Sequence, residues 1–163
     1  MFFLRRRRKV VRPIHSSSKH YLEKKELTRA LVTDRLFHFN QHYQLQWRRV
    51  AVRNQRSRWG SCSSLKNLNF NYKILFLPPH LQDYIVVHEM CHLVELNHGK
   101  QFWKLVEQVI PHYLQCVHEL RVIDRGGGSV VHLEKVRTLY EQGTMIASGV
   151  ATIAIHKEKG LVI

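Results

Sequence analysis

No run of the roughly eighteen apolar residues that a membrane-spanning helix needs occurs in this 163-residue sequence, so no span is expected. The stretch Thr144 to Ile155 is apolar but short, and Gly149 interrupts it. Cysteine is scarce. Cys62, Cys91 and Cys116 are odd in number and form no CxxC pair, which argues against a disulfide framework and for a reducing, cytoplasmic setting. Each thiol is expected to be a small buried apolar side chain. A secretory leader is not expected either, because Met1 to Pro13 (MFFLRRRRKVVRP) places its apolar residues before its charges, the reverse of a signal sequence. Acidic residues are few, 12 against 26 Lys and Arg. No internal repeat is visible.

What is present fits one domain of ordinary size, with 44% hydrophobic residues. The net charge of +14 is concentrated in two places. Arg5, Arg6, Arg7, Arg8, Lys9 and Arg12 form a basic arm, and Arg48, Arg49, Arg53, Arg56 and Arg58 fall within eleven residues. Such a balance favours phosphate backbones, acidic partners or membrane surfaces without identifying one. The expected organisation is a flexible arm over 1–17, a domain over 18–120, and a tail over 121–163.

Periodicity suggests an α+β fold. From Lys19 to Tyr43, Leu22, Leu27, Leu31, Leu36 and Phe39 recur near a helical period, with Ser18 as a candidate cap. Trp47, Val50 and Val52 suggest a strand within 45–58, continued or closed by Trp59 to Cys62. After a turn at 63–67, Leu68, Phe70, Tyr72 and Ile74 alternate with polar residues as a second strand, which Pro78-Pro79 stops. These strands are expected to make a short antiparallel sheet. Leu81 to Asn97 reads as a helix apolar nearly all round, hence central and buried. A turn at Asn97-His98-Gly99 leads to a second helix, Lys100 to Val109, ended by Pro111. Gly126-Gly127-Gly128 reads as a linker, Val130 to Gln142 as a helix and Thr144 to His156 as a short strand or hairpin.

One segment carries chemistry. Val87-His88-Glu89-Met90-Cys91-His92 is an HExxH pattern. Residues four apart share a helix face, so His88 and His92 can aim at one metal ion. Glu89 is then placed to deprotonate a water rather than to ligate. In a chain of this composition the pattern arises by chance about 0.05 times, so it is weak alone and its context must decide. It sits in the helix expected to be buried, where polar groups need partners. His98 follows after a turn and can supply the third ligand, and a catalytic zinc takes three protein ligands and keeps one position open.

Several motifs together resemble the YgjP-like family of predicted metal-dependent hydrolases, relatives of the zincin peptidases and more distantly of WLM and SprT-like proteases. They are Arg56-Ser57-Arg58-Trp59-Gly60-Ser61-Cys62, Leu68-Asn69-Phe70-Asn71, Asp83 to Leu93, Asn97-His98 and Phe102-Trp103. The resemblance covers about residues 20 to 118. It implies a small zincin-like domain with one zinc ion, the ligands His88, His92 and His98, and Glu89 as catalytic base. The chain departs from the family pattern at Gly99, where Ser is usual, and at His112, where Asp is usual. In zincins the strand before the active-site helix often pairs with an extended peptide, and Leu68 to Ile74 is the candidate for that role.

Other residues are weaker candidates. Arg58 and Asn71 are assigned as substrate contacts, and His112 or Tyr113 as a donor to the developing oxyanion. Trp47, Trp59 and Trp103 either line a cleft or pack. Glu95 either supports the metal ligands or faces solvent. The function expected is zinc-dependent hydrolysis of a protein or peptide amide. The alternative is a basic nucleic-acid-binding protein with a structural or vestigial zinc site, and weak, non-specific nucleic-acid binding is compatible with both.

Overall fold

The computed structural model describes residues 16–143. Its elements are α1 (Ser16–Tyr43), β1 (Arg49–Arg53), β2 (Gly60–Cys62), β3 (Asn67–Asn71), a 3₁₀ helix (Tyr72–Phe76), α2 (Pro79–Cys91), α3 (Lys100–Glu107), α4 (Tyr113–Arg125) and α5 (Val130–Glu141). The class is α+β, as expected. None of the described helices is long and apolar enough to cross a membrane. The strand or hairpin expected over 144–156 lies outside the described residues.

The buried stripe of α1 keeps Leu31, Leu36 and Phe39 of the expected series but not its first two leucines. Leu22 and Leu27 are exposed, and Thr28, Val32, Leu36 and Phe39 face the core. Thr28 tolerates full burial because its hydroxyl reaches the carbonyls of Lys24 at 2.9 Å and Tyr72 at 3.2 Å. The helix begins at Ser16, so Ser18 lies inside it rather than capping it. It stops where Gln44 turns left-handed, with φ 51°. There the Asn40 side chain accepts the Leu45 N–H at 2.7 Å.

The sheet is mixed, not wholly antiparallel. Its order is β1-β3-β2. β1 pairs with β3 in parallel, Val50 opposite Leu68 and Val52 opposite Phe70, while β2 runs antiparallel with Gly60 opposite Phe70. The reason lies in the connection between β1 and β2. Asn71, at the end of the central strand, donates both amide hydrogens to it, to Gln55 O at 2.9 Å and Arg58 O at 2.8 Å. The loop is thereby held across the end of β3, and β2 enters on the other side. A tight turn then closes the antiparallel pair, with Lys66 at φ 57° and Ser63 Oγ accepting the Asn67 N–H at 3.2 Å.

The alternating pattern after Leu68 also ends sooner than the sequence suggests. Asn71 Oδ1 accepts the Lys73 N–H and caps a 3₁₀ helix, which buries Tyr72, Ile74 and Phe76. Pro78 and Pro79 then open α2 rather than merely stopping a strand: Pro78 is its N-cap, and proline fits the first turn because no partner for its missing N–H is required there.

α2 is the hub, packing on α1, β2, α3 and α4. It is buried nearly all round, through Leu81, Tyr84, Ile85, Val86, Val87, Met90 and Cys91. It ends at Cys91, short of the expected Asn97, and His92 is its C-cap, still in helical geometry. α4 adds Cys116, Leu120 and Ile123 to the core. α5 adds Leu133 and Val136 to the same cluster, so the chain through α5 shares one core. Gly127 and Gly128, with φ 96° and 51°, make the turn between α4 and α5.

Candidate metal centre

Three histidines converge at the end of α2. One ring nitrogen from each of His88, His92 and His98 lies within 4.8 Å of the others. His88 and His92 share a helix face by their spacing. His98 is returned to them by the turn after Cys91, where Val94 and Glu95 N–H groups both bond Cys91 O and Gly99 N–H bonds Asn97 O. The Nε2 atoms of His88 and His98 are 3.0 Å apart.

Each helical imidazole is held by its other nitrogen. His92 Nδ1–H donates to the Glu95 carbonyl at 3.0 Å, and His88 Nδ1 lies 3.2 Å from Tyr84 Oη. The Glu95 carbonyl can only accept, so it fixes the His92 tautomer and leaves that Nε2 with its lone pair facing the cluster; the Tyr84 hydroxyl can accept from His88 Nδ1–H and do the same there. Phe102, fully buried, is the common floor, with ring centroids 4.9 Å from His88, 4.5 Å from His92 and 4.7 Å from His98. Burial pushes the His88 pKa down to about 3, and the neighbouring His92 and His98 add to this. Burial also lowers that of His92. Both rings are therefore neutral at pH 7, the state a metal ligand requires.

Glu89 is 5% exposed, and its Oε2 has no hydrogen-bond partner among the described residues. Burial raises its pKa to about 8, against the opposing pull of Arg58. Glu89 fits because Gly60 has no side chain: a Cβ there would lie 2.5 Å from Glu89 Oε1. A triad of histidine nitrogens beside a buried carboxyl with an unsatisfied oxygen is a donor set suited to zinc.

Residues 12–122 match the family described as YgjP-like, metallopeptidase domain. The chain belongs to this family. The YgjP-like chain also resembles a solved structure, the crystal structure of the metallopeptidase zymogen of Pyrococcus abyssi abylysin. The identity is 25% and the TM-score 0.50, over 58% of this chain and 93% of that one. No curated protein sequence matches it significantly.

The remaining candidates in this YgjP-like domain fall into distinct places. Arg58 is exposed and lines a recess beside His88 and Glu89. Asn71 is 4% exposed and holds the β1–β2 loop, including the Arg58 carbonyl. His112 is the exposed N-cap of α4. Tyr113 stacks on Trp103 at 4.9 Å, and Trp103 stacks in turn on His98 at 5.7 Å. Trp47 packs on Phe37. Trp59 Nε1–H donates to Asp124 at 3.1 Å. Glu95 holds His92 through its main-chain carbonyl, while its carboxylate accepts the Asn97 N–H at 3.3 Å.

Sequence reasoning missed Gly60, Tyr84 and Arg121 at the site. Tyr84 stands four residues before His88 on the same helix face, a spacing that could have signalled it. Gly60 and Arg121 come from other elements and have no helical spacing to the histidines, although Gly60 stands within the Arg56–Cys62 motif. The expected peptide-pairing strand is also corrected. Leu68 to Asn71 forms the central strand, flanked on both sides, whereas β1 and β2 are the edges among the described residues, and β2 is the one that lies against Glu89 through Gly60.

Proposed function

We propose that this metallopeptidase-family protein is a zinc-dependent peptidase in which His88, His92 and His98 hold one zinc ion and Glu89 moves the proton. The observation that carries this reading is the convergence of three histidine nitrogens within 4.8 Å of one another, beside a buried carboxyl oxygen that lacks a partner. When bound there, zinc would act as a Lewis acid on the scissile carbonyl and acidify a water molecule.

Glu89 has one task. Burial alone favours its protonated form, and a zinc ion held nearby would favour the carboxylate; that carboxylate takes a proton from the attacking water and delivers it to the leaving nitrogen. The water oxygen becomes bonded to the carbonyl carbon, the C–N bond breaks, and the amine leaves with the proton. Burial of the carboxyl excludes competing solvent. Gly60 leaves the room that the Glu89 side chain occupies beside β2.

The substrate is an extended peptide lying along β2. Asn71 N–H bonds Trp59 O at 2.8 Å and Ser63 N–H bonds Asn67 O at 3.0 Å. Antiparallel alternation therefore turns the main-chain groups of Trp59, Ser61 and Ser63 toward β3, and those of Gly60 and Cys62 toward the edge that carries no strand among the described residues. An added strand would bond there, beside Glu89. His112 and Tyr113 remain the candidates for an oxyanion donor. The free thiols Cys62, Cys91 and Cys116 suit a cytoplasmic protein. The peptidase domain would extend past the expected boundary at 120, because α4 and α5 complete its core through Ile123, Leu133 and Val136.

The alternative, a nucleic-acid-binding protein with a structural zinc, finds support in the exposed Arg49, Arg53, Arg56 and Arg58. It is disfavoured because a structural site needs a fourth ligand, and the cluster among the described residues has three members. Elemental analysis of the purified protein tests the main reading. About one zinc per chain is expected, with loss in His98→Ala. A protein that takes up no zinc even when it is supplied contradicts the reading.

A further inference from the structure

A recess of about 300 Å³ opens directly beside His88 and Glu89. Its apolar wall is Ile85 from α2 with Val117 and Leu120 from α4. Its polar wall holds two guanidinium groups, Arg58 from the β1–β2 loop and Arg121 from α4. Val117 and Arg121 are one turn apart on α4, so the aliphatic and cationic surfaces follow one helix face. Arg58 is positioned from below by its carbonyl, which accepts from Asn71. Both arginines are exposed, and neither forms an ion pair among the described residues.

A second recess of about 310 Å³ adjoins the first, sharing Ser57, Arg58, Trp59 and Asp124 with it and adding Arg56 and Lys73. The two recesses thus carry Arg56, Arg58, Lys73 and Arg121 against the carboxyl groups of Glu89 and Asp124. The Asp124 carboxylate is already engaged by the Trp59 indole N–H at 3.1 Å. Arg58 acts on the Glu89 carboxyl and Lys73 donates to the Gly128 carbonyl at 2.8 Å, but the four cations outnumber the two carboxyl groups, and in a concave, partly apolar recess the excess positive charge focuses its field on whatever enters.

We propose that this recess is a specificity pocket for an acidic side chain, a glutamate close to the scissile bond of the peptide substrate. Its methylenes would lie against Val117 and Leu120 and its carboxylate would meet Arg58 and Arg121. Glutamate suits the pocket better than a bare anion because the wall next to the guanidinium groups is aliphatic. The inference rests on the peptidase reading for the identity of the ligand, but binding tests it separately from cleavage.

The experiment uses the zinc-loaded Glu89→Gln protein and fluorescent octapeptides with amidated C-termini. One glutamate is moved along an otherwise neutral sequence, and a neutral peptide with a free C-terminal carboxylate is included. One glutamate register should bind ~10-fold or more tighter than its glutamine counterpart, as paired charge-assisted hydrogen bonds imply. Arg58→Glu combined with Arg121→Glu should abolish that preference, or Arg58→Gln with Arg121→Gln if the reversal does not fold. Arg29→Glu with Lys66→Glu, the same change of net charge away from the recess, should preserve it. In the protein with Glu89 intact, the cleavage site should keep a fixed spacing from the glutamate.

Equal binding of all registers overturns the inference. So does a preference that survives loss of both arginines, one that the distant pair of reversals removes equally, or one directed to the free C-terminus. Cleavage without glutamate preference overturns the inference and leaves the peptidase reading intact. Selective glutamate binding without any cleavage supports the pocket and counts against the peptidase reading.

Discussion

Gly60 lies against Glu89 so closely that a Cβ built on it would sit 2.5 Å from Oε1 and 2.6 Å from Cγ. An edge strand thereby sets the position of a carboxyl on the neighbouring helix. Gly60→Ala should push the Glu89 side chain aside while leaving the three histidines in place. Peptide hydrolysis should fall by roughly 100-fold, the scale on which small misplacements of a catalytic group act, with zinc content unchanged. Full activity in Gly60→Ala would contradict this dependence.

Tyr84 orients His88 through its Nδ1. Tyr84→Phe removes that partner from a ring whose Nε2 faces the metal position. Zinc affinity, measured by competition with a chelator, should drop by ~10-fold or more, the usual effect of losing an outer-shell partner. An unchanged affinity would mean that the contact does not orient the ring.

Asn71 is the tie between the sheet and the β1–β2 loop. Asn71→Ala leaves the carbonyls of Gln55 and Arg58 without their donors and removes the cap of the 3₁₀ helix. Urea unfolding should show a loss of about 2 kcal/mol or more, since buried groups left unpaired each cost on the order of 1–3 kcal/mol. A loss within experimental error would contradict the structural role assigned to Asn71.

Burial pushes the thiols of Cys62, Cys91 and Cys116 up from 9.0 to about 11 each. A raised folded pKa favours the folded state while the thiol keeps its proton. That stability is complete below about pH 9 and is lost as pH rises through about 11. Two consequences are measurable. The thermal midpoint should decline above pH 9, and iodoacetamide at pH 8 should modify the native protein ~100-fold more slowly than the urea-unfolded chain, because so little thiolate is present. Modification at the unfolded rate would contradict the burial.

The parts of this architecture that were legible in the sequence are local. His88 and His92 come together because four residues span one helical turn, and His98 because the return path is short. The burial of α2 was legible from apolar residues on every face. What escaped depends on partners distant in the chain. Thr28 is polar yet buried because two carbonyls receive its hydroxyl, whereas Leu22 and Leu27 match a helical period and face outward. The parallel pairing of β1 with β3 follows from Asn71 holding the crossover loop, which no alternation pattern encodes. Gly60 and Arg121 reach the site from β2 and α4; Gly60 stands in the Arg56–Cys62 motif, which does not encode its contact with Glu89, and nothing around Arg121 marks it.

The central claim is that Glu89 transfers the proton and does not bind the metal. The direct measurement is zinc stoichiometry together with peptide hydrolysis in Glu89→Gln and His88→Ala. Glu89→Gln keeps the shape of the side chain and removes the base. It should retain about one zinc per chain while hydrolysis falls by ~100-fold or more, the usual scale of general base catalysis. His88→Ala should lose zinc and activity together. Hydrolysis by Glu89→Gln at the parent rate, or loss of zinc from it as complete as from His88→Ala, would contradict the account.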